Sequence, residues 1–339
     1  MKHHTYIFMV FCGLLVSCVK WGSTENSHLM RQAQLLAEQM PDSALTLLDA
    51  MNTSGFSNAQ KAEYHLLQIQ AKSNAGLDLS AETDIFDVRE FFIRKNDPQK
   101  AALACFFAAF IAAEQNQATK GMEYFQEALD FAKNTVNMEL QGKILYNMGY
   151  LNYESGWNDD AIMWYRKALN ILQRMDNQYQ IEVYALNGIA NAMMIMNKTD
   201  SAQYYYQLAL DLAHLNEDVA MQLMLYNNMG VVHSEREQYD QAIYYSRQAL
   251  QLAINDDNKI RIYLNCAHIF HETNNADSAR YYLQMADTLV SQSDDIYVSL
   301  RFADVSYEIE NAAGNYQKAL EYHESYTKFY IEILKFPSL

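Results

Sequence analysis

Asparagines recur in the middle of predicted helices of this chain, at Asn147, at Asn187, at the pair Asn227 and Asn228, and at Asn265. A carboxamide offers one acceptor and two donor hydrogens, so it can pair with a peptide backbone without reading its side chains. Asparagine is a poor residue for a helix interior, because its side chain competes for backbone hydrogen bonds. The recurrence therefore indicates a chemical role, either as a binding surface or as hydrogen bonds between adjacent helices.

Helical spacing extends this polar surface. Residues one turn further on face the same side, and they are Tyr150, Asn191, Val231 and His268. Three phenylalanines on an earlier helix add aromatic surface: Phe106, Phe107 and Phe110. The predicted surface thus combines amide and aromatic side chains.

Metal or catalytic chemistry has little support in the sequence. His268, His271 and Glu272 lie three or four residues apart, a spacing that could begin a zinc site. A third strong ligand is not apparent, so an exposed helical face is the favoured interpretation, and we expect no metal and no cofactor. No nucleophile-and-base motif, phosphate loop or paired-carboxylate motif is visible, and we expect no enzymatic activity.

The elements that carry these residues belong to a repeat. A small residue recurs about every forty residues, which is typical of a solenoid whose units are stable only when stacked. The positions are Gly121, Ala161, Ala202, Ala242, Ala279 and Ala319. Half of the chain is hydrophobic, with only 3 prolines and 11 glycines, and no strand-like alternation is visible. These features predict an all-α solenoid of antiparallel helix hairpins.

The repeat resembles the tetratricopeptide repeat family. Leu145, Met148 and Gly149 match its large, large and small positions in a first helix. Ala161, Tyr165 and Ala168 match its small, aromatic and small positions in the second helix. The long period resembles kinesin light chain and bacterial peptide-sensing regulators, whereas the family's helix-ending proline is missing from every copy.

This resemblance implies a right-handed superhelix whose first helices line a concave groove that holds a protein or peptide partner. The residues expected there are Asn147, Tyr150, Asn187, Asn191, Asn227, Asn228, Asn265, His268, Phe106 and Phe110. The asparagines would grip the backbone of an extended peptide. The alternative is that they bond between adjacent hairpins and hold the stack together.

The amino terminus resembles a bacterial lipoprotein signal. A basic start precedes an apolar run over residues 6–16, which is too short to span a bilayer permanently. The segment Leu15-Val16-Ser17-Cys18 resembles a lipobox, which implies a signal peptide over residues 1–17 and an acylated Cys18 in the bilayer. A plain signal peptide is the alternative. The resemblance implies a periplasm-facing position at the envelope of a Bacteroides-like bacterium.

The sequence pattern also divides the chain into segments. A lipidated tether is expected over residues 18–28, degenerate hairpins over 29–97, the clear repeats over 98–325 and a C-terminal capping helix over 326–339. An apolar stripe marks that last segment, at Tyr326, Phe329, Tyr330, Ile333, Leu334 and Phe336. Cys105 and Cys266 fall at packed positions and are predicted to be buried free thiols.

Charge narrows the range of partners. The formal net charge of −16 makes nucleic-acid binding improbable, because neutralising phosphates needs a basic face. The favoured hypothesis is a non-enzymatic scaffold or adaptor at the cell envelope, with its oligomeric state open. The alternative is the sensor portion of a truncated or split tetratricopeptide regulator.

Overall fold

The computed structural model describes residues 21–175 and 178–335. Cys18, the predicted signal peptide and Phe336 lie outside these residues. Across the described ranges every regular element is helical, which confirms the predicted all-α repeat solenoid. Within the same ranges, no helix combines the length and the apolarity needed to cross a bilayer.

The chain divides into two compact units, one through Lys95 and one from Asn96. From residue 21 onward, where the structure describes it, unit 1 contains four α-helices and a short 3₁₀ turn: α1 (Trp21–Leu36), α2 (Pro41–Asp49), the turn (Thr53–Gly55), α3 (Asn58–Asn74) and α4 (Ile85–Arg94). Unit 2 contains the helices α5 (Pro98–Glu114), α6 (Ala118–Lys133), α7 (Met138–Glu154), α8 (Asn158–Leu172), α9 (Tyr179–Ile195), α10 (Thr199–Leu215), α11 (Val219–Glu235), α12 (Tyr239–Leu252), α13 (Asp256–Glu272), α14 (Ala276–Val290), α15 (Ile296–Ala312) and α16 (Tyr316–Lys335).

In unit 1, small and aliphatic residues pack α1 and α2 together and against α3, with Ala33, Ala37, Ala44 and Leu48 fully buried. Pro41 occupies the first turn of α2, where its missing N–H costs no helical bond. α1 begins at Trp21, so the part of the predicted tether that the structure describes, residues 21–28, is helical. This stretch lacks proline, and extending an established helix is easier than nucleating one.

Unit 2 is a series of six hairpins in the described part of the chain, each with an odd-numbered first helix and an even-numbered second helix. Every first helix ends in the same way. A residue in the left-handed region follows it, and the next backbone N–H bonds to a carbonyl five residues back. The left-handed residues are Asn116, Gly156, Asn197, Glu237, Asn274 and Gly314. This shared turn sends each second helix back along the first.

Several first helices also begin with a capping side chain. The side chains of Asp97, Asn137, Asp218, Asn255 and Asp295 each accept a hydrogen bond from a backbone N–H of the first helical turn. Such caps satisfy donors that the helix itself leaves unpaired. The acidic residues of the turns thus have a local structural role.

The hairpins interlock through a ring seated between two glycines. Tyr165, on α8, is only 1% exposed. A Cβ atom added at Gly149 on α7 would lie 2.6 Å from Tyr165 Cδ1, and one added at Gly188 on α9 would lie 2.5 Å from Tyr165 Cζ. The predicted role of Gly149 in close helix approach is therefore seen in the structure, whereas the equal role of Gly188 was not recognised in the sequence.

The carboxyl-terminal segment joins the last hairpin. The segment predicted as a separate capping helix is, as far as Lys335, the continuation of α16. Tyr326 and Tyr330 stack with ring centroids 6.1 Å apart along this helix. The apolar stripe, from Tyr326 to Leu334, therefore belongs to the second helix of the sixth hairpin.

Replacing either glycine by alanine should force the Tyr165 ring out of place. We expect Gly149→Ala and Gly188→Ala each to lower the free energy of unfolding by about 1–3 kcal/mol through overpacking. That cost exceeds the helix propensity of roughly 1 kcal/mol that alanine adds over glycine. Urea unfolding followed by circular dichroism measures the effect.

Gly55→Ala is the control, because a Cβ there meets no atom within 4 Å. It should change stability by less than about 1 kcal/mol, the range of a simple glycine replacement. A Gly188→Ala protein as stable as the parent would refute the interlock.

Candidate functional site

The odd-numbered helices of unit 2 present one continuous set of side chains, which we term the first-helix face. It contains the predicted residues Asn147, Tyr150, Asn187, Asn191, Asn227, Asn228, Asn265 and His268, of which Tyr150 is exposed and the others are partly buried. Small cavities open on this face between successive first helices. One of about 250 Å³ is bordered by Asn227, Asn228 and Arg261, and a smaller one by Asn265, His268 and Arg301.

Four of the asparagines form what we term the amide ladder: Asn187, Asn227, Asn228 and Asn265. Asn228 Nδ2 donates to Asn187 Oδ1 at 2.7 Å, from α11 to α9. Asn265 Nδ2 donates to Asn227 Oδ1 at 2.9 Å, from α13 to α11. These asparagines therefore form hydrogen bonds between adjacent hairpins, which was the alternative role predicted for them.

The ladder keeps unused hydrogen-bonding capacity. Among the described residues, no partner contacts the Nδ2 groups of Asn187 and Asn227 or the Oδ1 atoms of Asn228 and Asn265. Each amide pair therefore presents one spare donor group and one spare acceptor. Bonding between hairpins and bonding to a peptide backbone are compatible roles for the same side chains.

The other two asparagines have different partners. Asn147 Nδ2 donates to the Lys143 carbonyl of its own helix at 2.8 Å. Asn191 Oδ1 accepts from the Tyr206 hydroxyl at 2.6 Å. The position that would pair with the ladder from α9 toward α7 is Gly188, which has no side chain, so the ladder stops at α9.

The α5 and α7 end of the face is aromatic. Phe106 packs against Phe110, with ring centroids 4.9 Å apart, and both rings lie within 6 Å of Phe125 on α6. Phe106 is only 8% exposed, which differs from the open aromatic surface predicted for it. Its ring fills the gap inside the first hairpin, and Phe110 remains partly exposed.

Tyr150 is the exposed aromatic residue of this end, and its hydroxyl hydrogen-bonds to Glu154. Burial raises the pKa of Tyr150, and the charges of Glu154, Tyr153 and Tyr297 raise it further. Burial likewise raises the pKa of Glu154, against the hydrogen bond from Tyr150. Tyr297 stands on α15, so an electrostatic interaction links α7 with a first helix four hairpins later.

The α13 and α15 end is charged. His268 Nδ1 lies 3.1 Å from Glu308 Oε2 on α15. The hydrogen bond with His268 lowers the pKa of the Glu308 carboxyl, helped by the charges of His268, Arg301 and His271. His268 thus joins hairpins five and six, and no group of three potential metal ligands occurs within the described ranges.

Sequence inspection missed Glu308, Arg301 and Tyr297 as members of this face. The signal that could have found Glu308 is its register, since it occupies in α15 the position of Tyr150 in α7 and of His268 in α13. The degenerate last repeat obscured that register. Cys105 and Cys266, predicted as free thiols, are both buried and unpaired by disulfide.

Burial raises the pKa of the Cys266 thiol to about 11. The thiolate is the nucleophilic form of cysteine, so this thiol is inert near neutral pH. Cys266 packs in a core cluster with Ala249 and Ile262, away from the first-helix face.

Comparison with known proteins agrees with the fold and the register. Tetratricopeptide repeat models match residues 221–286 and residues 142–171. No curated protein matches the sequence. The matched segments cover most of three hairpins, α7–α8, α11–α12 and α13–α14.

Solved structures share the fold at low sequence identity. The apo form of RapI has a TM-score of 0.69 and 12% identity, and the match covers 91% of this chain and 98% of RapI. The apo quorum sensor NprR from B. thuringiensis has a TM-score of 0.62 and 14% identity, over 93% of this chain and 94% of NprR.

A Rap protein complexed with Competence and Sporulation Factor has a TM-score of 0.60 and 14% identity, over 93% of this chain and 98% of that protein. At these identities the likeness concerns the fold. Together with the hairpin register, the two family matches show that this chain contains tetratricopeptide repeats.

Proposed function

We propose that the chain is a binding scaffold that holds an extended segment of a protein or peptide partner along the first-helix face. The observation that carries this proposal is the spare donor and acceptor on each amide pair. A peptide backbone offers one N–H and one C=O per residue, which complement them. The ladder would therefore grip a backbone while its own bonds keep the hairpins in register.

The spacing of the ladder suits an extended chain. Packed helices lie about 8–10 Å apart, and an extended peptide advances about 3.3 Å per residue. Successive amide pairs would then meet every third residue of the bound segment. The intervening side chains would face the cavities between the first helices, including the one beside Arg261.

The descriptions of two similar structures support this proposal. One Rap protein was solved with Competence and Sporulation Factor, and NprR is described as a quorum sensor. Sensing is accordingly the second candidate function, in which the bound segment changes the behaviour of a regulator. An adaptor and a sensor would bind the peptide backbone in the same way. They would differ in the process that binding controls.

We further propose that acylated Cys18 anchors the scaffold at the bacterial envelope. The support is the lipobox-like Leu15-Val16-Ser17-Cys18 and the short apolar run before it. Two or more acyl chains on one cysteine would hold the protein stably at a bilayer, whereas one chain binds reversibly. The repeats would then face the periplasm.

The structural part of the ladder is testable by a double-mutant cycle on Asn187→Ala and Asn228→Ala. Their coupling energy should be about 0.5–1.5 kcal/mol, the net value of one hydrogen bond. Urea unfolding of the parent, both single variants and the double variant gives this value. Asn147→Ala paired with Asn187→Ala is the control and should be additive, because these two amides share no bond.

The binding part is testable by partner capture. In-cell crosslinking of the tagged full chain, followed by mass spectrometry, identifies the partner, and a synthetic peptide of the crosslinked segment then serves as ligand. Asn227→Ala with Asn228→Ala should weaken peptide binding about tenfold, which corresponds to about 1.4 kcal/mol. Gln207→Ala, an exposed change on the second helix α10 and outside the first-helix face, should bind normally. A partner held equally by all variants, with normal helicity, would place the interface elsewhere.

The anchor is testable by metabolic labelling with an alkynyl fatty acid. The parent protein should incorporate the label and sediment with membranes, because acyl chains partition into the bilayer. Cys18→Ser should lose both properties, while Cys12→Ser should keep them. An unlabelled parent protein would leave a plain signal peptide as the explanation of the amino terminus.

A further inference from the structure

Another cavity lies on the other side of the hairpins from the first-helix face. It has a volume of about 740 Å³ and opens between the second helices α6 and α8, above the amino-terminal half of α7. Its apolar lining comes from Leu129, Leu145 and Ile171, of which Leu129 and Leu145 are buried. We term this cavity the second-helix pocket.

The polar lining of the second-helix pocket is basic. Lys133, Arg166 and Lys167 line it together with Gln126, Gln141, Asn170 and Trp164, and none of the ten lining residues is acidic. The whole chain carries 41 Asp and Glu against 25 Lys and Arg. The lining of this pocket is therefore positively charged, although the chain as a whole is negatively charged.

The three cations are held in place by weak, replaceable contacts. Lys167 Nζ lies 3.9 Å from the centre of the Trp164 ring, and an Arg166 nitrogen donates to the Tyr205 hydroxyl at 3.2 Å. Lys133 pairs with Asp130 at 3.0 Å, and both side chains are more than half exposed. An exposed ion pair contributes little to stability, so an incoming carboxylate can compete for the ammonium group.

We propose that the second-helix pocket binds an acidic segment of a partner protein that carries a large apolar side chain. The apolar side chain would pack over Ile171 and Trp164, which are partly exposed, and remove their exposed carbon from water, with the buried Leu129 and Leu145 beneath them. Carboxylates on either side of it would pair with Lys133, Arg166 and Lys167. Charge complementarity of this kind selects acidic partners and speeds their association.

This site is distinct from the one proposed on the first-helix face. It is built by α6 and α8, and its contributions from α7 are Gln141 and Leu145, neither of which belongs to that face. Gln141 Nε2 also donates to the Ala132 carbonyl at 3.0 Å, which ties the start of α7 to the end of α6. Occupation of one site therefore needs no residue of the other.

Fluorescence of Trp164 provides a direct test. Trp21→Phe with Trp157→Phe leaves Trp164 as the only tryptophan of the full chain. The probe is an acetylated, amidated peptide with a pair of leucines between blocks of glutamate. One comparison peptide replaces the glutamates by lysine, and another replaces the leucines by serine.

We expect saturable quenching or a shift of Trp164 emission with the glutamate–leucine peptide alone, weakened by added salt. Lys133→Glu with Lys167→Glu should reduce affinity at least about tenfold. Lys318→Glu, an exposed charge reversal on α16, should leave it unchanged. The Asn227→Ala, Asn228→Ala variant should also bind normally, which separates this test from that of the first-helix face.

Several outcomes would overturn the proposal. Equal binding of the lysine peptide would show that charge is irrelevant, and equal binding of the serine peptide would show that the apolar lining is unused. Binding of dodecanoate with no response to the glutamate–leucine peptide would assign the pocket to small organic anions. Equal loss in the Lys318→Glu protein would indicate only a long-range charge effect.

Discussion

The distance between neighbouring first helices is the constraint on which unit 2 depends. It is set where a ring from a second helix enters a space that only glycine leaves open, as Tyr165 does between Gly149 and Gly188. Protein interiors are packed densely, so such a contact tolerates little change in spacing. From α9 to α13 the position of Gly188 is taken by Asn228 and Asn265, and amide pairs join the successive first helices there in place of a ring seated between glycines.

The ends of the array show what happens when this interlock is absent. Tyr307 in α15 occupies the position of Gly149 and meets His323, with ring centroids 5.3 Å apart. At the other end, Phe106 and Phe110 fill the first hairpin with their own rings. In these two hairpins the close contacts are made by rings of the first helices themselves, and not by a ring seated between two glycines. The first-helix face consequently changes from aromatic to amide to charged along the array.

The two proposed sites place different chemistry on the two sides of the hairpins. The first-helix face offers neutral donors and acceptors, which suit a backbone, whereas the second-helix pocket offers cations around an apolar lining. A scaffold with both could hold two segments of one partner, and the second binding event would then occur at a raised effective concentration. Such avidity needs no tight binding at either site.

Much of the fold was predictable because its signals are local and periodic. The small residue near Ala161, the capping Asp and Asn residues, and the Asn or Gly at the turns all act within a few residues of the chain. The positions of Asn187, Asn227, Asn228 and Asn265 on one face followed from counting helical turns. The sequence pattern could not predict the hydrogen-bond partner of each amide, because those partners lie about forty residues away in sequence.

The sequence by itself therefore determined the helix hairpins, their repeat length and the face on which each asparagine lies, because these depend on spacing along a single chain. Tertiary structure alone decided that Phe106 is buried, that Glu308 is the partner of His268, and that α6 and α8 leave a basic cavity between them. Each of these depends on how side chains from different hairpins fill the same space, and no periodicity within one helix encodes that.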